Sequence, residues 1–433
     1  MLSTLLSIVA IGLSAGCGVA AQPAAPETMS FGVLGASCAP ERVVALREAG
    51  VSVVELPLAW DRYEPGEGLV DERYVAGVRA QLQDCRDAGM AVVLSPGLHY
   101  PPDWVRSLPG GVLRGSAGGV PGDSGAELVF SAKVREAVHE YLARIASDVG
   151  FEGIAAIRVG TNATGELGYP GAEDGGNERE FWSFGDAPQL GKGLAEGVAP
   201  SPMPGWVPGA RLWKGRAVNS QQVQAWWDWY AGAVVGAVVW QVDELRGLGY
   251  QGRVHVPVAG KGVLPAEKTE ALRGRLDGRA NPDGAQERGL DYLEQFAVLS
   301  TLPGVDVDFT GLDDISAVTA RAVSPLQDRC HPGDEVSFME DDVSVWSSHR
   351  YTSALARRAG LGLVGENPGA PWLPYTGGTP LSDSLAEQLQ IAPRYAAECG
   401  MTMFLFGFED DLFDPEGRSG VTLDHYSDVI QSY

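Results

Sequence analysis

Ile157 to Pro170 reads IRVGTNATGELGYP. The run from Gly153 to Gly160 has the pattern of a buried strand, short and mostly apolar, and it ends in small and polar residues. Glu166 then sits among glycines and aromatics. A carboxylate on a loop just after a β-strand is where barrel enzymes keep a general acid. Some way downstream, LGLVGENPG (Leu361 to Gly369) ends the same way in Glu366.

Outward from these two stretches, β-branched runs alternate with amphipathic helical segments. Phe31 to Leu34 precedes a predicted helix at Pro40 to Ala49. Val51 to Leu56 precedes one at Arg73 to Ala88, and Ala91 to Leu94 precedes one at Ala132 to Val149. Ile154 to Val159 leads to Gln221 to Leu248, and Val254 to Val258 leads to Asp283 to Leu302. Val305 to Phe309 leads to Ser347 to Ala359, Leu361 to Val364 to Leu381 to Cys399, and Thr402 to Phe406 to Leu423 to Ser432. Eight strand-then-helix units imply a parallel sheet closed on itself, so the expected fold is an α/β (β/α)8 TIM barrel. An open doubly wound sheet would more often carry a Gly-rich nucleotide turn after its first strand, and none is evident. Gly50, Gly89, Gly360 and Gly400 each stand between a helix and the next strand, where glycine closes a helix. The long strand-to-helix connections, Glu166 to Ser220 and Thr310 to Trp346, are where a barrel builds its active-site walls.

The 433-residue chain carries a formal net charge of −24, which disfavours nucleic acid and anionic membrane surfaces as partners. Residues 1–21 read as an export signal: Leu5 to Leu13 is apolar but too short to span a bilayer. Leu13-Ser14-Ala15-Gly16-Cys17 resembles a bacterial lipoprotein box with Cys17 lipidated, and Val19-Ala20-Ala21 offers an ordinary cleavage site instead. The chain is therefore expected to be secreted or lipid-anchored, with a short lead and a single catalytic domain over 29–433. Cys38, Cys85, Cys330 and Cys399 remain, and export allows three pairings among them. Cys85 and Cys399, each late in a helix before a Gly and a strand, read as core packing. No CxxC occurs and the six His lack metal-ligand spacing, so neither metal nor cofactor is expected. Glu409-Asp410-Asp411 with Asp414 reads as a solvated loop before a calcium site.

Glycoside cleavage needs one carboxylic acid to protonate the leaving oxygen and a second carboxylate as nucleophile or water activator. Their separation decides between retention, at roughly 5–5.5 Å, and inversion, at about 6.5–9.5 Å. Glu166 follows the fourth strand and Glu366 the seventh, so both can face the mouth of one barrel. Aromatic residues supply the rings on which sugar C–H faces pack: Trp60, His99, Trp104, Tyr169, Trp182 and Trp372. Asn162, Asn367 and Arg158 are candidates to orient hydroxyls or the carboxylates, and Arg158, which alternates with inward residues on its strand, is a candidate to hold Glu166. Trp226, Trp227, Trp229 and Trp240 lie inside one helix and read as packing.

The segment VGTNATGELGYP resembles the acid-bearing motif of the β-amylases, glycoside hydrolase family 14, through Val159, Gly160, Gly165, Glu166, Leu167, Tyr169 and Pro170. VGENPG is similar to that family's second motif through Gly365, Glu366 and Asn367. The resemblance implies an inverting hydrolase with Glu166 as general acid and Glu366 as general base. The chain departs from the family at Gly168, where the family has Arg, and at Pro368-Gly369. The first third resembles family 42 β-galactosidases, through Trp60, Glu64, Pro65, Gly68 and the Pro101-Pro102-x-Trp104 run. The resulting expectation is a hydrolase with an oligo- or polysaccharide substrate; a non-catalytic sugar-binding lipoprotein on the same scaffold is the alternative.

Overall fold

A computed structural model describes residues 29–433 except 123–124, 172–178, 280–283, 368, 370–374, 377–378, 381–384, 415 and 418. The expected export signal with Cys17, and Trp372, lie outside the described residues.

Eight parallel strands close into a barrel: β1 (Ser30–Val33), β2 (Val53–Pro57), β3 (Ala91–Ser95), β4 (Ile154–Arg158), β5 (Arg253–Val258), β6 (Val305–Phe309), β7 (Gly362–Glu366) and β8 (Met403–Phe406). They neighbour one another in chain order, and β8 returns to β1 in register Phe31↔Phe404. The principal helices are α1 (Pro40–Glu48), α2 (Glu72–Asp87), α3 (Ala132–Asp148), α4 (Ser220–Gly247), α5 (Tyr292–Leu299), α6 (Ser348–Ala359), α7 (Leu385–Glu398) and α8 (Leu423–Gln431). This is the (β/α)8 TIM barrel that the strand–helix alternation predicts.

Side chains start several of these helices. Asp71 accepts from the Arg73 and Tyr74 amides ahead of α2, and Ser131 accepts from Val134 N ahead of α3. Asn219 and Gln222 form a reciprocal capping box on the 28-residue α4, and Ser347 caps α6. The predicted helix over Asp283 to Leu302 shrinks to α5. Gly284 and Gly289, both at positive φ, turn the chain through the stretch before it, and the Tyr169 ring lies 3.1 Å from where a Cβ on Gly289 would stand.

Alternation along the strands divides the core in two. Outward side chains such as Val254, Val256, Val258 and Phe309 pack under the helices in one large cluster. Inward ones, Val53, Val93, Ala156, Val364 and Leu405 with Leu34, make a small separate apolar plug inside the barrel. Two residues further along three of these strands, on the same inward face, come Glu55, Arg158 and Glu366. The apolar plug thus gives way to charge at the C-terminal ends.

Two disulfides stitch the periphery: Cys38 to Cys85, and Cys330 to Cys399. The core-packing reading of Cys85 and Cys399 is corrected to this extent: both are fully buried, but each is bonded. The helix C-terminal position that suggested packing also brings each one beside a strand-to-helix loop that carries a second cysteine. Glu409 is likewise not solvated. It is fully buried, accepts from the Ser37 amide and pairs with Arg42, because the turn after β8 folds in against the loop after β1. Among the described residues no group of three or more His, Cys, Asp or Glu side chains gathers as a metal site.

Candidate active site

A cavity of about 1070 Å³ opens at the C-terminal ends of the strands, and both Glu166 and Glu366 line it. The loop carrying Glu166 is folded by its own backbone. The Thr161 and Asn162 amides both donate to the Glu166 carbonyl, at 2.8 and 3.1 Å. This hairpin passes so close to β4 that a Cβ on Gly160 would stand 1.9 Å from the Gly165 carbonyl oxygen, and Gly165 itself has φ +79°. The two glycines around the glutamate are therefore demanded by the path of the chain. The Asn162 carboxamide oxygen accepts from the Glu166 amide at 2.7 Å and from the Thr164 amide and hydroxyl at 3.1 and 2.9 Å. Behind the loop, Gln241 of α4 donates to the Gly160 carbonyl at 2.9 Å.

The Glu166 carboxyl is half-buried, with Thr164 Oγ1 3.0 Å from Oε2 and Thr310 Oγ1 2.7 Å from Oε1. Thr310 comes from the loop after β6, so this contact reaches across to a strand that is not adjacent to β4. Hydroxyls can donate or accept, and accommodate either protonation state of a carboxyl group.

Glu366 has a different environment. It is buried at the end of β7, and Arg158 of β4 donates to it with both prongs, Nη1 to Oε2 at 3.2 Å and Nη2 to Oε1 at 3.3 Å. Arg158 Nε also lies 3.6 Å from Asp308 Oδ2 on β6. Glu55, on β2, accepts from the Gly35 amide at 2.8 Å. Burial pushes the Glu366 carboxyl above the ordinary carboxylate range; Arg158 pulls it down, while Asp308 and Glu55 push it up again. Burial raises Asp308 too, against the pull of Arg158 and with the push of Glu55, Asp306 and Glu166. For Arg158, burial works against the charge, but the surrounding carboxylates overcome it and hold the guanidinium protonated. Arg158 therefore holds Glu366 and not Glu166, because its side chain points into the barrel while Glu166 rides on the loop above.

The other sequence-predicted residues divide. Trp60, His99, Asn162 and Asn367 line the cavity. His99 is lowered to about 4 by burial and then by the Arg158 charge, so it stands there as a neutral imidazole. Trp60 is fully buried, stacked on Tyr141 at 4.9 Å. Asn367 spends its carboxamide on the Gly407 backbone at the end of β8, accepting from its N–H at 2.9 Å. Three aromatics stand behind the wall instead of on it. Tyr169 stacks on Tyr230 at 4.3 Å, and Trp182 donates to the Pro170 carbonyl at 2.8 Å, both within the core. Trp104 is half-buried edge-on to Trp60 and donates to the Glu64 carbonyl at 3.0 Å. These three brace the loops after β3 and β4, and their rings are occupied by protein contacts.

Glu55 was not singled out from sequence. The clue to the buried acids lay in VVELP (Val53–Pro57) and VDVDF (Val305–Phe309). Both place acids at alternate positions in apolar strands, and on a barrel strand that periodicity aims them inward.

No family model and no curated protein matches the chain. Solved structures do match. The catalytic domain of β-amylase from Paenibacillus polymyxa aligns over 94% of this chain and 99% of its own, with TM-score 0.60 and 14% identity. A β-galactosidase from Marinomonas ef1 aligns over 93% of this chain and 59% of its own, with TM-score 0.57 and 14% identity. One from Halorubrum lacusprofundi aligns over 93% and 57%, with TM-score 0.54 and 16% identity. The chain has the TIM-barrel fold of these glycoside hydrolases. At such identities the likeness extends to the scaffold.

Proposed function

We propose that this protein is a glycoside hydrolase that cleaves O-glycosidic bonds of an oligo- or polysaccharide, with Glu166 as general acid and Glu366 as base or nucleophile. One observation carries the reading: two carboxylates from separate barrel strands line one cavity in contrasting surroundings. Glu166 is half-open and touched by two hydroxyls that suit either protonation state. Glu366 is buried, which raises its carboxyl, and is gripped by a guanidinium, which pulls it back toward the charged form. An acid that must give up and regain a proton and a carboxylate that must act as an anion need such a division. Asn162 fixes the loop on which Glu166 stands. The proposal extends to location: a secreted or Cys17-lipidated protein, in keeping with two disulfides, which persist in oxidising compartments.

Glu166→Gln and Glu366→Gln test it. Each should keep its circular dichroism spectrum and lose roughly 10²–10⁴-fold in kcat on a panel of aryl glycosides and glucans. Full turnover by either variant rejects the role of that residue. Following the product anomer by NMR assigns Glu366 as base, on inversion, or nucleophile, on retention. Binding of saccharides by the wild type with no release of reducing ends favours the non-catalytic alternative.

A further inference from the structure

Arg158 has two partners, and only one of them touches the cavity. Its two-pronged face is turned to Glu366, and its Nε side is turned to Asp308. Asp308 is completely buried, does not line the cavity, and neither carboxylate oxygen has a hydrogen-bond partner among the described residues. Among the described residues its one ion-pair partner is that guanidinium. A buried, unbonded carboxylate costs stability, so its presence behind a cavity calls for an account.

We propose that Asp308 is a positioning residue: it competes with Glu366 for Arg158 and so sets how readily Glu366 is ionised. The inference rests on the hydrolase reading of Glu366 given above. The geometry supports a division of one charge between two acids. Were Asp308 neutral and passive, Arg158 would serve Glu366 alone and hold it firmly as an anion. With Asp308 drawing on the same guanidinium, part of that attraction is withdrawn. The other charged groups around Glu366 are few. Glu55 faces it from β2, where it is anchored by the Gly35 amide. Glu166 reaches the cluster from the loop after β4 through its interaction with Asp308, and His99 from the loop after β3 feels Arg158 while remaining neutral. On the β8 side the neighbour is Asn367, tied to Gly407, which carries no charge. Asp306 adds its push on Asp308 from the same strand, and the buried His255 on β5 feels Arg158 and stays neutral. Arg158 is the cation that acts on both Glu366 and Asp308.

The consequence is a pair of opposite shifts. Asp308→Asn removes the competitor, so Glu366 should titrate at lower pH. Arg158→Lys keeps the charge, and with it the fold, but loses the fork, so Glu366 should titrate at higher pH. Two readouts follow the effect. The first is the Glu366 side-chain carboxyl in ¹³C-glutamate-labelled full-length protein, assigned by its loss in Glu366→Gln and titrated by NMR. The second is the pH dependence of kcat/KM on an aryl glycoside that the wild type hydrolyses. Because the base or nucleophile must be ionised, its limb is the acidic one. That limb should move down by about one pH unit in Asp308→Asn, a tenfold gain on its low-pH flank, and up in Arg158→Lys, with the alkaline limb unmoved. A destabilised but otherwise unaltered site would lose activity at all pH values and shift neither limb. If the NMR titration of Glu366 is the same in Asp308→Asn and wild type, the inference is overturned and the hydrolase reading stands. If the titration moves while Glu366→Gln turns over at the wild-type rate, the assignment of Glu366 falls, and the catalytic meaning of the inference with it.

Discussion

Glu127 offers the most quantitative check on the wall of this site. It lies in the loop between β3 and α3, is 3% exposed, and accepts from the Phe130 amide at 3.0 Å. Its neighbours Ala126 and Leu128 line the cavity. Burial raises its carboxyl from the ordinary 4.5 to about 8, against the pull of the Phe130 and Val129 amides and the Arg135 charge. Arg135 is itself committed elsewhere, donating to the Leu128 and Val129 carbonyls and lying over the Trp240 ring. Between pH 4.5 and 8 the folded chain keeps a proton on Glu127 that the unfolded chain releases. Folded stability must therefore fall as pH rises through this window. At about 1.36 kcal/mol per pH unit the full penalty is roughly 5 kcal/mol. Glu127→Gln keeps an oxygen for the Phe130 amide and abolishes the titration. The variant should match wild type near pH 5 and exceed it by up to about 5 kcal/mol at pH 9. Urea unfolding followed by tryptophan fluorescence at five pH values between 5 and 9 measures the difference. Two stability curves that run parallel across that range would refute the reasoning.

Two further outcomes are expected. His255 and His349 are both lowered to about 3, mainly by burial, with Arg158 and Arg253 adding to it for His255 and Arg321 and Arg350 for His349. Each contributes stability that is whole above pH 6.5 and is lost as pH falls toward 3, because only the unfolded imidazole takes a proton there. His349→Gln should flatten the acid side of a circular dichroism unfolding curve, and an unchanged slope would contradict the assignment. The disulfides close loops of 47 and 69 residues. Chain entropy puts the stabilisation from each at about 4 kcal/mol, so the Cys38→Ser, Cys85→Ser double variant should lower the denaturation midpoint by a comparable free energy. Equal midpoints would show that the bridge constrains nothing.

The barrel was legible in the sequence because its signal is repeated eight times. Each strand is a short apolar run whose outward half must pack under a helix, and several helices carry their own start and stop. Asn219 with Gln222 opens α4, and Gly360 in the left-handed conformation closes α6. The position of Glu166 was legible for a related reason. The backbone path of its loop tolerates no side chain at Gly160, so the local pattern was fixed by sterics that any reader of sequence can recognise. The helix over Asp283 to Leu302 was misjudged where composition looked helical but two glycines adopt positive φ. Aromatic residues were harder still. A tryptophan or tyrosine near a catalytic acid can stack on a sugar or brace the loop that carries the acid, and composition is identical in the two cases. Tyr169 and Trp182 both lie on the connection after Glu166, yet their rings are taken by Tyr230 and by the Pro170 carbonyl.

The pairing of Arg158 could not be read from its neighbours in the chain, and the reason lies in the geometry of closed sheets. Arg158 is eight residues before Glu166, and its alternation with inward residues on the strand suggested a role holding that acid. A residue that ends a barrel strand on the inward face meets the inward residues of strands across the ring. A residue on the following loop rises out of that layer. Arg158 belongs to the first group, with Glu55, Asp308 and Glu366, which come from β2, β6 and β7. Glu166 belongs to the second, and its contact across the mouth is Thr310, itself one residue beyond the end of β6. The site is thus two layers: a charged floor that grips one carboxylate, and a hydroxyl-lined rim that touches the other. Inward alternation on every strand builds the floor, and the loop after each strand builds the rim. Assigning a residue to the right layer takes only the parity of its position on its strand, which makes the same reading available for other eight-stranded barrels whose partners are scattered along the chain.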